Sequence, residues 1–195
     1  MIEKYILGFD ELNQLIQAEF QASTLEELDF ERTFQNVVDD LYECLWIAYV
    51  NGMDTVSDML DFPLAVDDFR REEVIYQEID GMDFTDRVYE HLSENDVLGL
   101  VSLAQSEYHR VFNTAMSDGA DTASLSMNVV KTWVTVGDDK VRESHQYLEG
   151  VTIPIDEKFY TIDGDSAFYP SNFESAENNV NCRCFLEYGQ ERPKS

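Results

Sequence analysis

Residues 129–136 have the sequence VVKTWVTV, in which β-branched and aromatic residues are concentrated. Such a run predicts a β-strand, and the turn sequence GDD at 137–139 predicts its end. Before this point the apolar residues recur every three or four positions, which predicts a helix over 97–117. The change of period predicts an α+β fold in which a small α+β unit with a short sheet occupies residues 128–188.

Two further extended segments are expected in this unit. Residues 151–155, VTIPI, predict an edge strand or an irregular strand, because proline lacks the N–H that a central strand needs. Residues 182–188 predict a closing strand.

The residues before position 97 follow the helical period. Apolar residues spaced by three and four predict one amphipathic helix over 6–20 and a second from about residue 25 onward. Asn51-Gly52 can either end this second helix or lie within it, and the DFP sequence at 61–63 predicts a break. The sequence therefore predicts a mainly helical region at 1–96 and a second domain at 97–195.

Charge separates the two regions. The chain has 40 acidic and 13 basic residues, for a net charge of −27, and 25 of the acids but only 5 of the bases fall in residues 1–96. Repulsion from phosphates excludes a broad nucleic-acid-binding surface. Three interpretations of the acidic region stay open: a solvated helical face, a docking surface for a basic partner, and a DNA mimic.

The apolar runs, the first residues and the cysteines indicate the cellular compartment of the protein. The longest apolar run has six residues, Leu45 to Val50, far short of the roughly 20 that a membrane-spanning helix needs, so no membrane partner is expected. The first residues lack the order of a signal peptide, and an odd number of cysteines, three, is typical of a reducing compartment. We expect the protein to be made and kept in the cytoplasm of its host cell.

Four motifs follow one another in the second region. They are KTWVT-x-GDDKVRESH at 131–145, LEG at 148–150, IPIDEKF at 153–159 and NCRC at 181–184. In order and spacing these motifs resemble the phage Mu F-like head morphogenesis family, whose members are minor head proteins of tailed bacteriophages. The segment at 102–113 is similar to the helix that precedes these motifs in the family.

The resemblance implies a function and a set of positions. Members are components of the capsid interior or the portal, present in few copies, with roles in head assembly and DNA delivery. The implied location is the virion head, after assembly in the host cytoplasm, and the implied partners are portal or capsid proteins. The positions that carry the motifs are Trp133, Asp138, Val141, Arg142, His145, Gly150, Asn181, Cys182, Arg183 and Cys184.

Structural roles explain several of these positions. A tryptophan on a strand predicts a core anchor, so Trp133 is expected beneath a short helix at 141–148. The carboxylate of Asp138 can cap that helix, and Arg142 can pair with Asp138 or Asp139.

His145, Cys182 and Cys184 raise the question of a metal. Neutral imidazole and thiolate are the usual zinc ligands, but Cys-x-Cys is tighter than the common spacing and no fourth ligand is evident. The favoured interpretation is that both cysteines pack as small apolar residues on Trp133, without a cofactor, and that Cys44 lies in the helical core. A Cys–His nucleophile lacks an orienting group in the sequence, so an enzyme is not expected.

Three functions follow, in order of preference. The first is a phage minor head protein, and the alternative is an acidic DNA mimic that inhibits a nucleic-acid-binding partner. The third is a small metalloenzyme built on His145, Cys182 and Cys184. Copy number and oligomeric state are not determined by these patterns.

Overall fold

The computed structural model describes Gln14 and residues 30–191 and has the expected α+β composition. The elements, in chain order, are α1 (Phe30–Leu60), α2 (Asp68–Ile75), α3 (Phe84–Ser93), α4 (Val97–Ser124), β1 (Val129–Thr135), α5 (Glu143–Gln146), β2 (Thr152–Pro154), β3 (Phe159–Tyr160), β4 (Ser166–Ala167), α6 (Ala176–Asn179) and β5 (Cys184–Gln190). None of the described helices combines the length and apolar character needed to cross a bilayer.

Helix α1 corresponds to the second predicted helix. The first predicted helix, at 6–20, lies outside the described residues apart from Gln14. Asn51 and Gly52 do not end α1, which continues to Leu60. There Asp61 adopts a left-handed conformation with φ of 48°, and the proline two residues later cannot continue the helix, so the break falls where it was predicted.

Some of the acidic residues cap helices. Asp67 accepts hydrogen bonds from two backbone N–H groups in the first turn of α2, at 2.9 and 3.1 Å. Asp83 does the same for α3 and forms a capping box with Asp86. Part of the negative charge therefore serves local structure, because carboxylates satisfy free N–H groups at the positive end of a helix.

Helix α4 is longer than predicted. The expected end near residue 117 is wrong, since the helix continues for two further turns to Ser124. Gly119 lies in this extension, and a Cβ atom added there would be 2.9 Å from Leu64 Cδ1. The glycine therefore permits close packing rather than ending the helix, and the buried residues Ala120 and Ala123 continue its apolar face.

The described chain forms two compact units. Unit 1 consists of residues 30–48 and 67–111, and unit 2 consists of residues 49–66 and 112–191. The core of unit 1 contains residues from all four of its helical segments, including Leu41, Leu45, Ile75, Phe84, Val88 and Leu100. The core of unit 2 combines helical and sheet residues, including Val56, Met116, Trp133, Phe159, Cys184 and Leu186.

Unit 2 contains a three-stranded antiparallel sheet with the order β2-β1-β5. The central strand β1 pairs with β5 along its whole length, from Val129 opposite Gln190 to Thr135 opposite Cys184. Pro154 lies on the edge strand β2, as predicted, where its missing N–H does not interrupt the sheet. Strands β3 and β4 form a separate two-stranded hairpin.

Candidate functional site

Trp133 anchors a buried aromatic cluster in unit 2, which confirms the expected core position. Its side chain is fully buried, and its ring centroid lies 5.0 Å from that of Phe159 and 5.8 Å from that of Phe173. The ring of His145 meets Trp133 edge to face at 5.7 Å. These separations are within the favourable range for aromatic pairs, so the rings hold one another in place.

The structure brings His145, Cys182 and Cys184 together. All three are buried, and one potential ligand atom from each lies within 4.8 Å of the others. His145 Nδ1 is 3.6 Å from Cys182 Sγ and 3.5 Å from Cys184 Sγ. We call these three residues the His–Cys–Cys cluster.

Electrostatics disfavour a free thiolate in this cluster. The contact with Cys182 and burial raise the pKa of the Cys184 thiol well above its usual range. A thiol that holds its proton so strongly is a poor nucleophile at neutral pH.

Phe173, in the loop before α6, covers the ring of His145. The ring of Phe173 stacks on that of His145, with centroids 5.1 Å apart and an interplanar angle of 22°. Asn179 fixes this segment, because its side chain accepts from Phe173 N at 2.8 Å and donates to Phe173 O at 2.7 Å. The loop around Phe173 thereby closes one side of the cluster.

Asp165 organises the same loop. Its carboxylate accepts hydrogen bonds from Ser175 Oγ at 2.7 Å, Asn178 Nδ2 at 3.0 Å and Ser166 N at 2.7 Å. Partial burial raises the pKa of Asp165, but these hydrogen bonds outweigh it and hold that pKa well below the usual value. An ionised side chain thus orders a segment that has little regular secondary structure.

The predicted pairing of Arg142 with Asp138 or Asp139 is wrong. Asp138 instead pairs with Arg183 through two hydrogen bonds, one of them from Nε at 3.1 Å, and this pairing lowers the pKa of Asp138. Arg142 donates to the backbone oxygen of Val180. The register of β1 and β5 explains why Arg183 is the partner of Asp138. Val136 N donates to Arg183 O, and this hydrogen bond brings Arg183 beside the turn at 137–139.

The predicted helix at 141–148 is also shorter than expected. Only Glu143–Gln146 is helical, and α5 has no side-chain cap, since the carboxylate of Asp138 accepts from Lys140 N within the preceding turn. Val141 is buried beside this turn.

Gly150 and Asn181 hold the backbone at two bends. Gly150 has a φ of 74°, and its N–H donates to Trp133 O at 2.9 Å. Asn181 has a φ of 53°, which bends the backbone just before Cys182. The closing strand β5 therefore begins at Cys184, two residues later than predicted. Both residue types tolerate this left-handed conformation.

Three buried residues of unit 2 were missed by the sequence analysis. Phe173 lies in a polar loop, where no pattern indicates a buried ring. Phe159 belongs to a quoted motif but was given no role. Lys131 alternates with Val129 and Trp133, and this period of two could have placed it on the buried face of β1.

Cys44 differs from the prediction as well. It is half-buried on α1 and not a core residue.

Unit 2 is thus an antiparallel α+β module in which the motif residues Trp133, Val141, His145, Cys182 and Cys184 are buried. The region from residue 80 to residue 187, more than half of the chain, matches the family model described as phage Mu protein F like protein. The chain belongs to this family, as the motifs predicted, and all ten motif positions lie within the matched region.

Two curated proteins are similar over part of the chain. Minor head protein GP7 of Bacillus phage SPP1 is 34% identical over 85 residues, which is 44% of this chain and 28% of that protein. NAD(+)–arginine ADP-ribosyltransferase EFV of Enterococcus faecalis is 37% identical over 83 residues, which is 42% of this chain and 17% of that protein. The matches thus span less than a third of either relative. No solved structure shows significant similarity to the chain.

Proposed function

We propose that this protein is a minor head protein of a tailed bacteriophage that acts in head morphogenesis by contacting the portal or the inner capsid. The family match over residues 80–187 carries the proposal, and the similarity to a protein named as a minor head protein supports it. The protein assembles into heads in the host cytoplasm, remains in the virion and takes part in DNA delivery.

The proposed role is structural and involves no reaction. The transferase relative shares only 17% of its length with this chain, so its name describes a much larger protein. Burial of the motif residues Trp133, Cys182 and Cys184 agrees with a structural role.

The acidic region at 1–96 is the proposed docking surface. Its 25 acids and 5 bases favour a partner surface rich in Lys and Arg, and opposite charges accelerate and orient docking. Several of these acids lie exposed on unit 1, among them Glu43, Glu78 and Glu90.

A pull-down from phage-producing cells tests the proposal. The tagged full-length protein is compared with Glu43→Gln/Glu78→Gln/Glu90→Gln, and partners are identified by mass spectrometry. The control, Asp139→Asn/Glu177→Gln/Glu187→Gln, removes the same number of exposed charges from unit 2. We expect portal or capsid protein with the wild type and the control, and less of it with the first variant.

Two results would contradict the proposal. One is an unaltered particle, with normal composition, DNA content and infectivity, when the gene is deleted. The other is recovery of a nuclease or a DNA-binding protein in place of head proteins, which would favour the DNA-mimic alternative based on the same acidic region.

A further inference from the structure

The two sulfur atoms of the His–Cys–Cys cluster approach the same ring nitrogen. A neutral imidazole nitrogen carries either one proton or one lone pair, so it forms one well-directed hydrogen bond. Here Cys182 Sγ and Cys184 Sγ lie at nearly equal distances from His145 Nδ1, 3.6 and 3.5 Å. That nitrogen forms one such bond at a time, so the two sulfur atoms compete for a single ring atom.

A metal ion accounts for both nitrogen–sulfur distances. Zinc–sulfur and zinc–nitrogen bonds of about 2.3 and 2.0–2.1 Å at tetrahedral angles separate sulfur from nitrogen by ~3.6 Å. The two observed distances match this edge, and the three atoms lie within 4.8 Å of one another. Both nitrogen–sulfur edges of the cluster therefore already have the length found in a zinc site.

We propose that Nδ1 of His145 and the sulfur atoms of Cys182 and Cys184 bind one zinc ion. Two thiolates neutralise the charge of a divalent ion, so the loaded site is uncharged and compatible with complete burial. Binding releases the two thiol protons to solvent. The described part of the chain supplies three ligands, and a small molecule such as water occupies the fourth position.

The surrounding residues fix the histidine for this task. Stacking on Phe173 and edge contact with Trp133 hold the ring so that Nδ1 faces the sulfurs. His145 precedes Cys182 by 37 residues and Cys184 by 39, so the ion joins α5 to the turn before β5 and to the first residue of that strand. Such an ion stabilises the small sheet, because it binds the folded state in preference to the unfolded chain.

Zinc content tests the proposal directly. The full-length protein is produced in zinc-supplemented medium and purified without chelator, and zinc per chain is measured for wild type, Cys182→Ser and Cys184→Ser. Cys44→Ser is the matched control, because it removes a thiol outside the cluster. We expect about one zinc per chain in wild type and control, and loss of most of this zinc in the two cluster variants.

Cobalt provides a second readout in proteins whose cluster is intact, so it does not depend on how well the cysteine variants fold. Co²⁺ added to the metal-free wild-type protein should give the visible bands of a tetrahedral thiolate site. In Trp46→Phe, where Trp133 is the remaining tryptophan, it should also quench the fluorescence, because Trp133 contacts His145. Absence of zinc in the wild type together with absence of cobalt bands, or equal zinc loss in Cys44→Ser and Cys184→Ser, overturns the proposal.

Discussion

Glu107 is only 2% exposed, yet it is ionised because two guanidinium groups contact it. Arg87 approaches its carboxylate at 2.8 Å and Arg110 at 2.7 Å. Burial raises the pKa of Glu107, but the positive charges outweigh this effect and lower it overall. Arg110 also donates to Val74 O, so the group connects α4 to the end of α2 within unit 1.

Glu107→Gln should therefore destabilise the protein strongly. The substitution removes the carboxylate that the buried Arg110 and the half-buried Arg87 share, and removal of one partner from a buried pair costs about 3–5 kcal/mol. The free energy of unfolding from urea denaturation measures the loss. Glu73→Gln is the control, because Glu73 pairs with Arg70 at the surface, where an ion pair contributes about 0–1 kcal/mol. Equal effects of the two substitutions would contradict this account.

Lys131 is a second buried charge, in unit 2. Its Nζ donates to Ile155 O at 2.8 Å and to Phe168 O at 3.0 Å. Burial lowers the pKa of Lys131 to about 8, although Asp121 acts in the opposite direction. The unfolded value is about 10.4, so between these two pH values the unfolded chain holds a proton that the folded chain lacks.

Stability should consequently rise with pH in that window. Relative to Lys131→Met, the wild type should gain on the order of 2 kcal/mol between about pH 7.5 and pH 10, and the difference should be constant below this range. Denaturation curves of both proteins at several pH values measure it. Lys140→Met, at an exposed position, is the control. Its difference from the wild type in free energy of unfolding should not change over this pH range.

Among the elements, the helical segments of unit 2 approach each other closely at Gly52. A Cβ atom added there would lie 2.6 Å from Phe112 O and 2.7 Å from Ala115 Cβ. Because a backbone oxygen cannot move aside as a flexible side chain can, α1 and α4 need glycine at this crossing. This explains why the Asn51-Gly52 pair lies inside a helix.

Gly52→Ala should destabilise the protein by about 1–3 kcal/mol, the usual cost of overpacking. The sign is informative, because helix propensity alone favours alanine over glycine by about 1 kcal/mol. Thermal unfolding measures the change. Gly189→Ala, where the added Cβ meets nothing within 4 Å, is the control and should leave the melting temperature almost unchanged. A stabilised Gly52→Ala protein would show that the helices do not pack this closely.

At the scale of the whole molecule, the net charge of −27 governs encounters with other macromolecules. Repulsion from DNA increases as the salt concentration falls, and at about 10 mM salt it extends over a Debye length of about 30 Å. The purified full-length protein should therefore leave duplex DNA unshifted in a gel-mobility assay at this ionic strength. A shifted band that disappears on adding salt would contradict the prediction and the expected lack of broad nucleic-acid binding.

Local rules in the sequence were enough to predict the α+β class, the break at Pro63, the strand around Trp133 and the family. The period of apolar residues and the backbone limits of proline act over a few neighbouring positions, so they can be read without the folded structure. The motifs are equally local, because each is a short run of adjacent residues.

Long-range packing, in contrast, sets which side chains meet. Arg183, and not Arg142, pairs with Asp138 because the β1–β5 register sets their distance. Helix α4 continues past its expected end, and the residues of this extension pack into the core of unit 2 at Ala120 and Ala123. The spacing of His145, Cys182 and Cys184 likewise depends on how α5 and the turn before β5 fold onto one sheet. Contacts between residues dozens of positions apart follow from the folded arrangement, which no local pattern encodes.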